Sequence, residues 1–171
     1  NSEGTAVQSY LNSQGIEKLD YVIGTHPDAD HIGGLDVVVY KFDCKKIFMP
    51  GVTSDTKTYD DVMQALKSKN QKAQAPKPGE TYTLGDASFT VIADETNNWS
   101  IGMVLQYGEN RFLFTGDAEK EAEEDMLAKG EDISADVYKA SHHGSKTGSC
   151  DDFLDKVHPS YAVISCGEGN K

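Results

Sequence analysis

Residues 25–34 have the sequence Thr-His-Pro-Asp-Ala-Asp-His-Ile-Gly-Gly, which carries four side chains of the kind that bind metal ions. In an extended loop, the alternate residues His26, Asp28 and Asp30 point to the same side. His31 begins a helix, so its side chain points in a neighbouring direction. The spacing therefore predicts a loop that can provide ligands for two metal ions.

A simpler interpretation of this stretch is a surface loop in which an aspartate caps the following helix. Asp30 is suited to this role, because its carboxylate can accept a hydrogen bond from the first helical N–H groups near Ile32. Capping explains one aspartate, but it does not explain two histidines and a second aspartate beside it. We therefore prefer the metal-binding interpretation.

The spacing of apolar residues predicts an α/β fold. Helices are expected at residues 7–14, 32–42, 59–66 (capped by Thr58), 118–129 and 152–157, and strands at 19–23, 46–49, 88–93, 101–106, 111–115, 137–141 and 161–165. Strands that alternate with helices around a central hairpin predict mixed sheets in one domain spanning residues 1–171.

Three polar clusters directly follow predicted strands, at residues 25–31, 115–117 and 141–145. Sites built at strand ends can converge in space even when they are far apart along the chain. We therefore expect Asp117 and the His142-His143 pair to join the first cluster.

These clusters carry a resemblance to a known family. Residues 26–31 resemble the HxHxDH signature of the metallo-β-lactamase superfamily, with Asp28 in place of the second histidine. Residues 112–117, Phe-Leu-Phe-Thr-Gly-Asp, resemble the strand of that family that ends in Gly-Asp. The resemblance implies an αββα sandwich with mixed β-sheets, here truncated at both ends, in which Asp117 bridges two metal ions.

One branch of the superfamily is especially similar, the extracytoplasmic hydrolase domain of ComEC-type DNA-uptake proteins. The similarity lies in Gly-Asp-Ala-Glu at 116–119, Tyr-Lys-Ala-Ser-His-His-Gly-Ser at 138–145 and the strand at 162–165. It implies a phosphodiesterase or nuclease that acts on single-stranded DNA. It also implies a location outside the cytoplasmic membrane, either secreted or attached to a membrane channel domain.

The resemblance implies two divalent metal ions, manganese or zinc, held by imidazoles and carboxylates. The implied ligands are His26, Asp28, Asp30, His31, Asp117, His142 and His143, with one of the last two histidines as a ligand and the other in a supporting role. Asp30 and Asp117 are also the expected catalytic residues. Three carboxylates among the ligands favour manganese over zinc, because oxygen ligands suit harder ions.

The chain departs from the family in ways that keep other functions open. The family's separate third histidine is absent, and Asn97 or Asn98 occupies its neighbourhood. A non-catalytic domain that binds metal poorly is therefore one alternative. A hydrolase of small esters, lactams or phosphorylcholine-type compounds is another, and net charge favours it.

The formal charge is −12, with Arg111 as the only arginine, which argues against general electrostatic binding of nucleic acid. Phosphate affinity would then come from the metal ions and from local groups. Lys146, beside the histidine pair, is either a solvated loop residue or such a phosphate contact.

Overall fold

The computed structural model describes residues 2–93 and 100–167, so Asn97 and Asn98 lie outside the described residues. The chain divides into two compact units, Asn1–Ala75 and Pro76–Lys171. None of the helices in the described ranges has the length and apolar composition of a membrane span.

The first unit contains a two-stranded parallel sheet and four helices. In chain order its elements are α1 (Ser2–Ser13), β1 (Lys18–Ile23), α2 (Ala29–Ile32), α3 (Leu35–Lys41), β2 (Asp43–Phe48) and α4 (Lys57–Ser68). The sheet pairs Leu19 with Cys44 and Ile23 with Phe48. Because the strands are parallel, both end at the same edge, and the segments 24–31 and 49–56 start there.

The helix predicted over residues 32–42 is instead two helices, and the prediction of one continuous helix is wrong. Gly33 and Gly34 separate α2 from α3, and glycine has a low helix propensity. A Cβ on Gly34 would lie 2.8 Å from the backbone nitrogen of Gly4 in α1. The absence of a side chain at Gly34 therefore allows the backbones of α1 and α3 to approach closely.

Helix α4 packs its apolar stripe into the core of the first unit. Val62 and Leu66 are buried there with Ile32, Val39 and Ile47. The helix begins after Thr56, whose side-chain oxygen accepts a hydrogen bond from the Tyr59 N–H at 3.3 Å. The predicted cap, Thr58, is instead inside the first turn, so that prediction is wrong by two residues.

The second unit is built on a six-stranded sheet in the order β3-β4-β5-β6-β7-β8. Its elements are β3 (Thr81–Leu84), β4 (Ala87–Ala93), β5 (Gly102–Tyr107), β6 (Asn110–Phe114), α5 (Lys120–Lys129), β7 (Val137–Lys139), a 3-10 turn (Ser141–Gly144), α6 (Asp151–Val157) and β8 (Tyr161–Val163). The first three pairings are antiparallel and the last two are parallel. The predicted α/β class with mixed sheets is confirmed, although β3 was not predicted.

The parallel pairing of β6 with β7 positions the polar segments of the second unit. Phe112 pairs with Val137 and Phe114 with Lys139, so the two strands end side by side. Leu113 and Tyr138 are buried beneath them in a core that also contains Phe153. The segments that follow β6 and β7 therefore meet at one edge of this sheet.

Candidate metal centre

The first group of ligand-type side chains lies in the loop between β1 and α2. The loop starts at Gly24, whose N–H donates to the Phe48 carbonyl at 2.9 Å. A Cβ on Gly24 would lie 3.0 Å from Ile32 and 3.1 Å from Leu35. The lack of a side chain at Gly24 thus lets the loop pack against the apolar side of the helices that follow.

Two histidine–aspartate pairs occupy this loop. His26 Nε2 lies 3.8 Å from Asp28 Oδ2, and His31 Nε2 lies 3.6 Å from Asp30 Oδ2. The two imidazole rings pack together with their centroids 3.9 Å apart. Thr25 Oγ1 lies 3.1 Å from His26 Nδ1 and 3.5 Å from His31 Nδ1, on the opposite side of each ring from the carboxylate.

The capping interpretation of the aspartates does not fit this geometry. Asp28 is at the N-cap position of α2 and its side chain makes no capping hydrogen bond. Asp30 lies inside the first turn, contrary to the expected capping position. Both carboxylates are largely exposed and lie beside an imidazole, so neither has the role of a side-chain cap.

The second group of ligand-type side chains lies where β6 and β7 end. Asp117 follows β6 after Gly116, which has a φ of +57°. The Asp117 N–H donates to Ser100 Oγ at 3.1 Å, and its carboxylate is largely buried. The His142 N–H donates to the Gly116 carbonyl at 3.2 Å, which fixes the histidine pair to the turn that carries Asp117.

The backbone of the histidine pair adopts an uncommon conformation. His142, His143 and Gly144 have φ values of 44°, 55° and 78°, all in the left-handed region. The preceding residue is held firmly, because the Ser141 hydroxyl donates to the Ala118 carbonyl and the Ser141 N–H donates to the Tyr138 hydroxyl. Non-glycine residues adopt such a conformation when their surroundings impose it, commonly at functional sites.

Both histidines direct Nε2 toward Asp117. The Nε2 atoms of His142 and His143 lie 3.9 Å and 3.7 Å from Asp117 Oδ2. On the other side of the rings, His142 Nδ1 lies 3.1 Å from Glu119 Oε1, and His143 Nδ1 donates to the Ser165 carbonyl at 2.7 Å. Since a carbonyl oxygen only accepts, His143 carries a proton on Nδ1, and in the neutral imidazole this leaves the lone pair on Nε2.

These groups fit a divalent metal ion. Two ligands about 2.1 Å from one tetrahedral ion are roughly 3.4 Å apart. The histidine–aspartate separations of 3.6–3.9 Å are close to that spacing and too long for direct hydrogen bonds. Fixing Nδ1 with a carboxylate or carbonyl is also how ligand histidines are usually oriented.

The seven predicted site residues thus fall into two groups, four in the first unit and three in the second. Asp30 and His31 offer ligand atoms within 4.8 Å of each other, and so do Asp117 and His143. The geometry does not separate His142 from His143 as a ligand, since both are oriented toward Asp117. Lys146 is exposed and makes no ion pair with any residue in the described ranges.

Two residues beside the second group were not assigned a role from sequence. Glu119 lies in the Gly-Asp-Ala-Glu motif, two residues after Asp117. This closeness to a predicted ligand is the sequence feature that could have indicated a role for Glu119 in the site. Lys139 ends β7 and donates to the Ala140 carbonyl at 2.7 Å. Burial lowers the pKa of Lys139, and the nearby Asp117 carboxylate opposes this shift.

Comparison with known proteins finds relatives among bacterial competence proteins. ComE operon protein 3 of Bacillus subtilis is 32% identical over 169 residues, which are 95% of this chain and 22% of that protein. Competence protein ComA of Neisseria gonorrhoeae is 28% identical over 172 residues, which are 97% of this chain and 23% of that protein. The chain therefore spans less than a quarter of the length of either relative.

Solved structures support the fold. The metallo-beta-lactamase fold protein YhfI from Bacillus subtilis matches with a TM-score of 0.57 at 14% identity, over 95% of this chain and 71% of that chain. A sequence model of the metallo-beta-lactamase superfamily matches residues 1–168. The predicted resemblance, including the similarity to competence proteins, is confirmed. The chain belongs to the metallo-β-lactamase superfamily of metal-dependent hydrolases.

Proposed function

We propose that this chain is the hydrolase domain of a phosphodiesterase that cleaves single-stranded DNA and uses two divalent metal ions. The observation that carries the proposal is the double set of histidine–aspartate pairs, each with Nε2 3.6–3.9 Å from a carboxylate oxygen. Similarity to competence proteins supports DNA as the substrate class.

The ligand roles in this proposal follow the two groups of side chains. As the resemblance implies, His26 and Asp28 would hold mainly one ion and Asp30 and His31 mainly the other, and Asp117 would be the carboxylate that serves both. His142 or His143 completes the set. Bound divalent ions lower the pKa of a water molecule and neutralise charge that develops on a phosphoryl group.

The surrounding residues of the chain orient these ligands. Thr25 faces the Nδ1 atoms of His26 and His31, while Glu119 and the Ser165 carbonyl hold those of the second pair. Lys139 adds a cation beside Asp117. Each of these contacts reduces the freedom of a ligand before any ion binds, which is the general role of groups around a metal site.

Location and partners extend the same proposal. We propose further that the chain is part of a longer protein with a membrane channel domain; the similarity to competence proteins, of which it spans less than a quarter, supports this part of the proposal. The hydrolase domain would then lie on the outer face of the membrane and meet DNA as it arrives.

Metal content and DNA cleavage together test the proposal. After loading with manganese or zinc and dialysis, the protein should retain close to two ions per chain. It should cut a labelled single-stranded oligonucleotide, and a chelator should abolish the cutting. Asp30→Ala should lose both properties, whereas Asp155→Ala, an exposed aspartate on α6, should keep them. A protein that retains no metal at micromolar concentrations contradicts the proposal.

A second candidate function is hydrolysis of a small ester, lactam or phosphorylcholine-type compound. The observation that favours it is the formal charge of −12, which repels a polyanion such as DNA. Chromogenic lactams and carboxylic esters distinguish the two functions. Rapid turnover of these compounds with no cleavage of the oligonucleotide would favour the small-molecule hydrolase.

A further inference from the structure

The first unit carries an open groove of about 550 Å³ beside α4. Its walls are residues 49–53, which follow β2, four residues of α4 and most of the segment 70–75. Met49 and Leu66 are buried beneath it and Met63 is half-buried. The volume lies within the range of about 300–1,000 Å³ that is typical of ligand sites.

The groove differs from the rest of the protein in its charge. The chain has 28 acidic and 16 basic residues, yet the residues that line the groove include Lys67 and Lys72 and no aspartate or glutamate. Both lysines are exposed. Neither forms an ion pair within residues 2–93 and 100–167, whereas Lys18 is paired with Asp43 and Lys57 with Asp61.

The groove begins at the sheet edge that also carries the first ligand group. Met49 directly follows β2, and its side chain lies 3.4 Å from the position that a Cβ on Gly24 would occupy. Gly24 is two residues before His26 and bonds to Phe48. If a linear polymer binds at residues 26–31, this groove is therefore a neighbouring surface within the same unit.

We propose that the groove binds single-stranded DNA that continues from the cleaved phosphodiester, an inference that rests on the proposed function. Lys67 and Lys72 contact phosphates, and bases lie on the apolar floor and against Tyr59. Sites for single-stranded nucleic acid combine positive charge along the backbone with apolar or aromatic surfaces for the bases. An acidic protein needs such a local positive surface to hold a polyanion.

The test compares two double variants with the same change in charge. Lys67→Gln with Lys72→Gln removes the groove lysines, and Lys18→Gln with Lys57→Gln removes two lysines outside the groove. Binding of a fluorescent single-stranded oligonucleotide is measured by anisotropy, with chelator present and at several salt concentrations. Thermal unfolding checks that both variants remain folded, as their exposed positions lead us to expect.

We expect the groove variant to bind about ten-fold more weakly than the control variant at low salt. The slope of log affinity against log salt should become shallower by about 1.4, because the variant loses two phosphate contacts and each contact with a single strand contributes about 0.7 to the slope. Hydrolysis of bis(p-nitrophenyl) phosphate, which has no nucleotides that continue beyond the cleaved phosphodiester, should be unchanged.

Two outcomes would overturn the groove assignment: equal affinities of the two variants, or no oligonucleotide binding by the unsubstituted protein in chelator. Failure of the proposed function looks different. In that case the unsubstituted protein hydrolyses neither phosphodiester with any metal, whatever its affinity for DNA. The binding and hydrolysis measurements therefore test the two proposals separately.

Discussion

His142 and His143 are adjacent in sequence, yet both direct Nε2 toward the carboxylate of Asp117. Consecutive side chains in regular structure point in different directions, so this convergence requires an unusual backbone. The left-handed conformations of both residues provide it, at a cost of about 1–2 kcal/mol each. Hydrogen bonds at Ser141 and His142 hold the segment in place, and we infer that they offset this cost.

Glu119 provides a residue-scale prediction about His142. If His142 is a ligand, the carboxylate 3.1 Å from its Nδ1 orients the ring and makes Nε2 more basic. We expect Glu119→Gln to weaken metal binding by about 10- to 100-fold, as measured by competition with a chromophoric chelator. Glu121→Gln, at an exposed position on α5, is the control. An unchanged affinity in Glu119→Gln would show that Glu119 does not orient a ligand, and Thr147 Oγ1, also 3.1 Å from His142 Nδ1, would be the remaining partner of that ring.

Asp117 and Asp28 provide a second residue-scale prediction. Asp117 contacts both histidines of its group and is proposed to serve both ions, whereas Asp28 is paired with one histidine, His26, within the described residues. Asp117→Ala should therefore lose most of two metal equivalents and Asp28→Ala about one, by elemental analysis after dialysis. Equal losses would argue that Asp117 does not bridge.

Sequence identifies the ligand-type residues more readily than their geometry. The alternation of His26, Asp28 and Asp30 is visible in the sequence because it follows from the period of an extended chain. The left-handed turn at His142 is not visible, because histidine adopts this conformation only uncommonly and here partners distant in the sequence impose it. The contact between Glu119 and His142 depends on that turn, so it could not be predicted either.

At the scale of elements, a buried carboxylate connects α5 to the segment after the histidine pair. Glu123 is fully buried, and its two carboxylate oxygens accept hydrogen bonds from the N–H groups of Ser149 and Cys150 at 2.6 and 2.8 Å. The second of these N–H groups belongs to the residue just before α6. Glu123 thus joins two helices of the second unit and orders the loop between them.

Glu123→Gln should destabilise the protein while leaving its surface unchanged. The amide replaces one acceptor oxygen with a donor that faces a backbone N–H, and loss of a charged hydrogen bond costs about 1.5–3 kcal/mol. We expect a fall of about that size in the free energy of unfolding, measured with urea. Glu124→Gln, which removes only an exposed pair with Lys120, should change it by less than about 1 kcal/mol. Similar effects of the two substitutions would contradict this role for Glu123.

The element boundaries that sequence failed to predict have local causes. Residues 32–42 have helical periodicity, but Gly33 and Gly34 interrupt the helix where α1 passes close to its backbone. Strand β3 is short and mostly exposed, so its alternation gives little hydrophobic signal. The long apolar strands and α4 were predicted because burial alone determines their pattern.

At the scale of the whole molecule, family membership was predictable because several motifs occur in the family's order along the chain. Each motif alone is short, but together they occur in the family's order between residues 26 and 165, and the family model matches residues 1–168. Substrate class is less accessible from sequence. It depends on which surfaces surround the metal ligands. The net charge of −12 gives no indication that the charged residues lining one groove are both lysines.

The proportion of carboxylates among the ligands leads to a prediction about metal preference. Asp28 occupies a position where the family signature has histidine, so the proposed set contains three carboxylates with Asp30 and Asp117. Carboxylate oxygens suit manganese better than imidazole-rich sets do. We therefore expect faster cleavage of a single-stranded oligonucleotide with manganese than with zinc, at equal metal occupancy.

Asp28→His provides the matched comparison, because it restores the imidazole of the family signature and leaves every other ligand unchanged. This variant should shift the preference toward zinc, both in affinity and in the ratio of cleavage rates. Occupancy has to be measured alongside rate, since zinc binds most protein sites more tightly than manganese. If the ratio of manganese to zinc rates is the same in both proteins, Asp28 does not contact the ion that determines the rate.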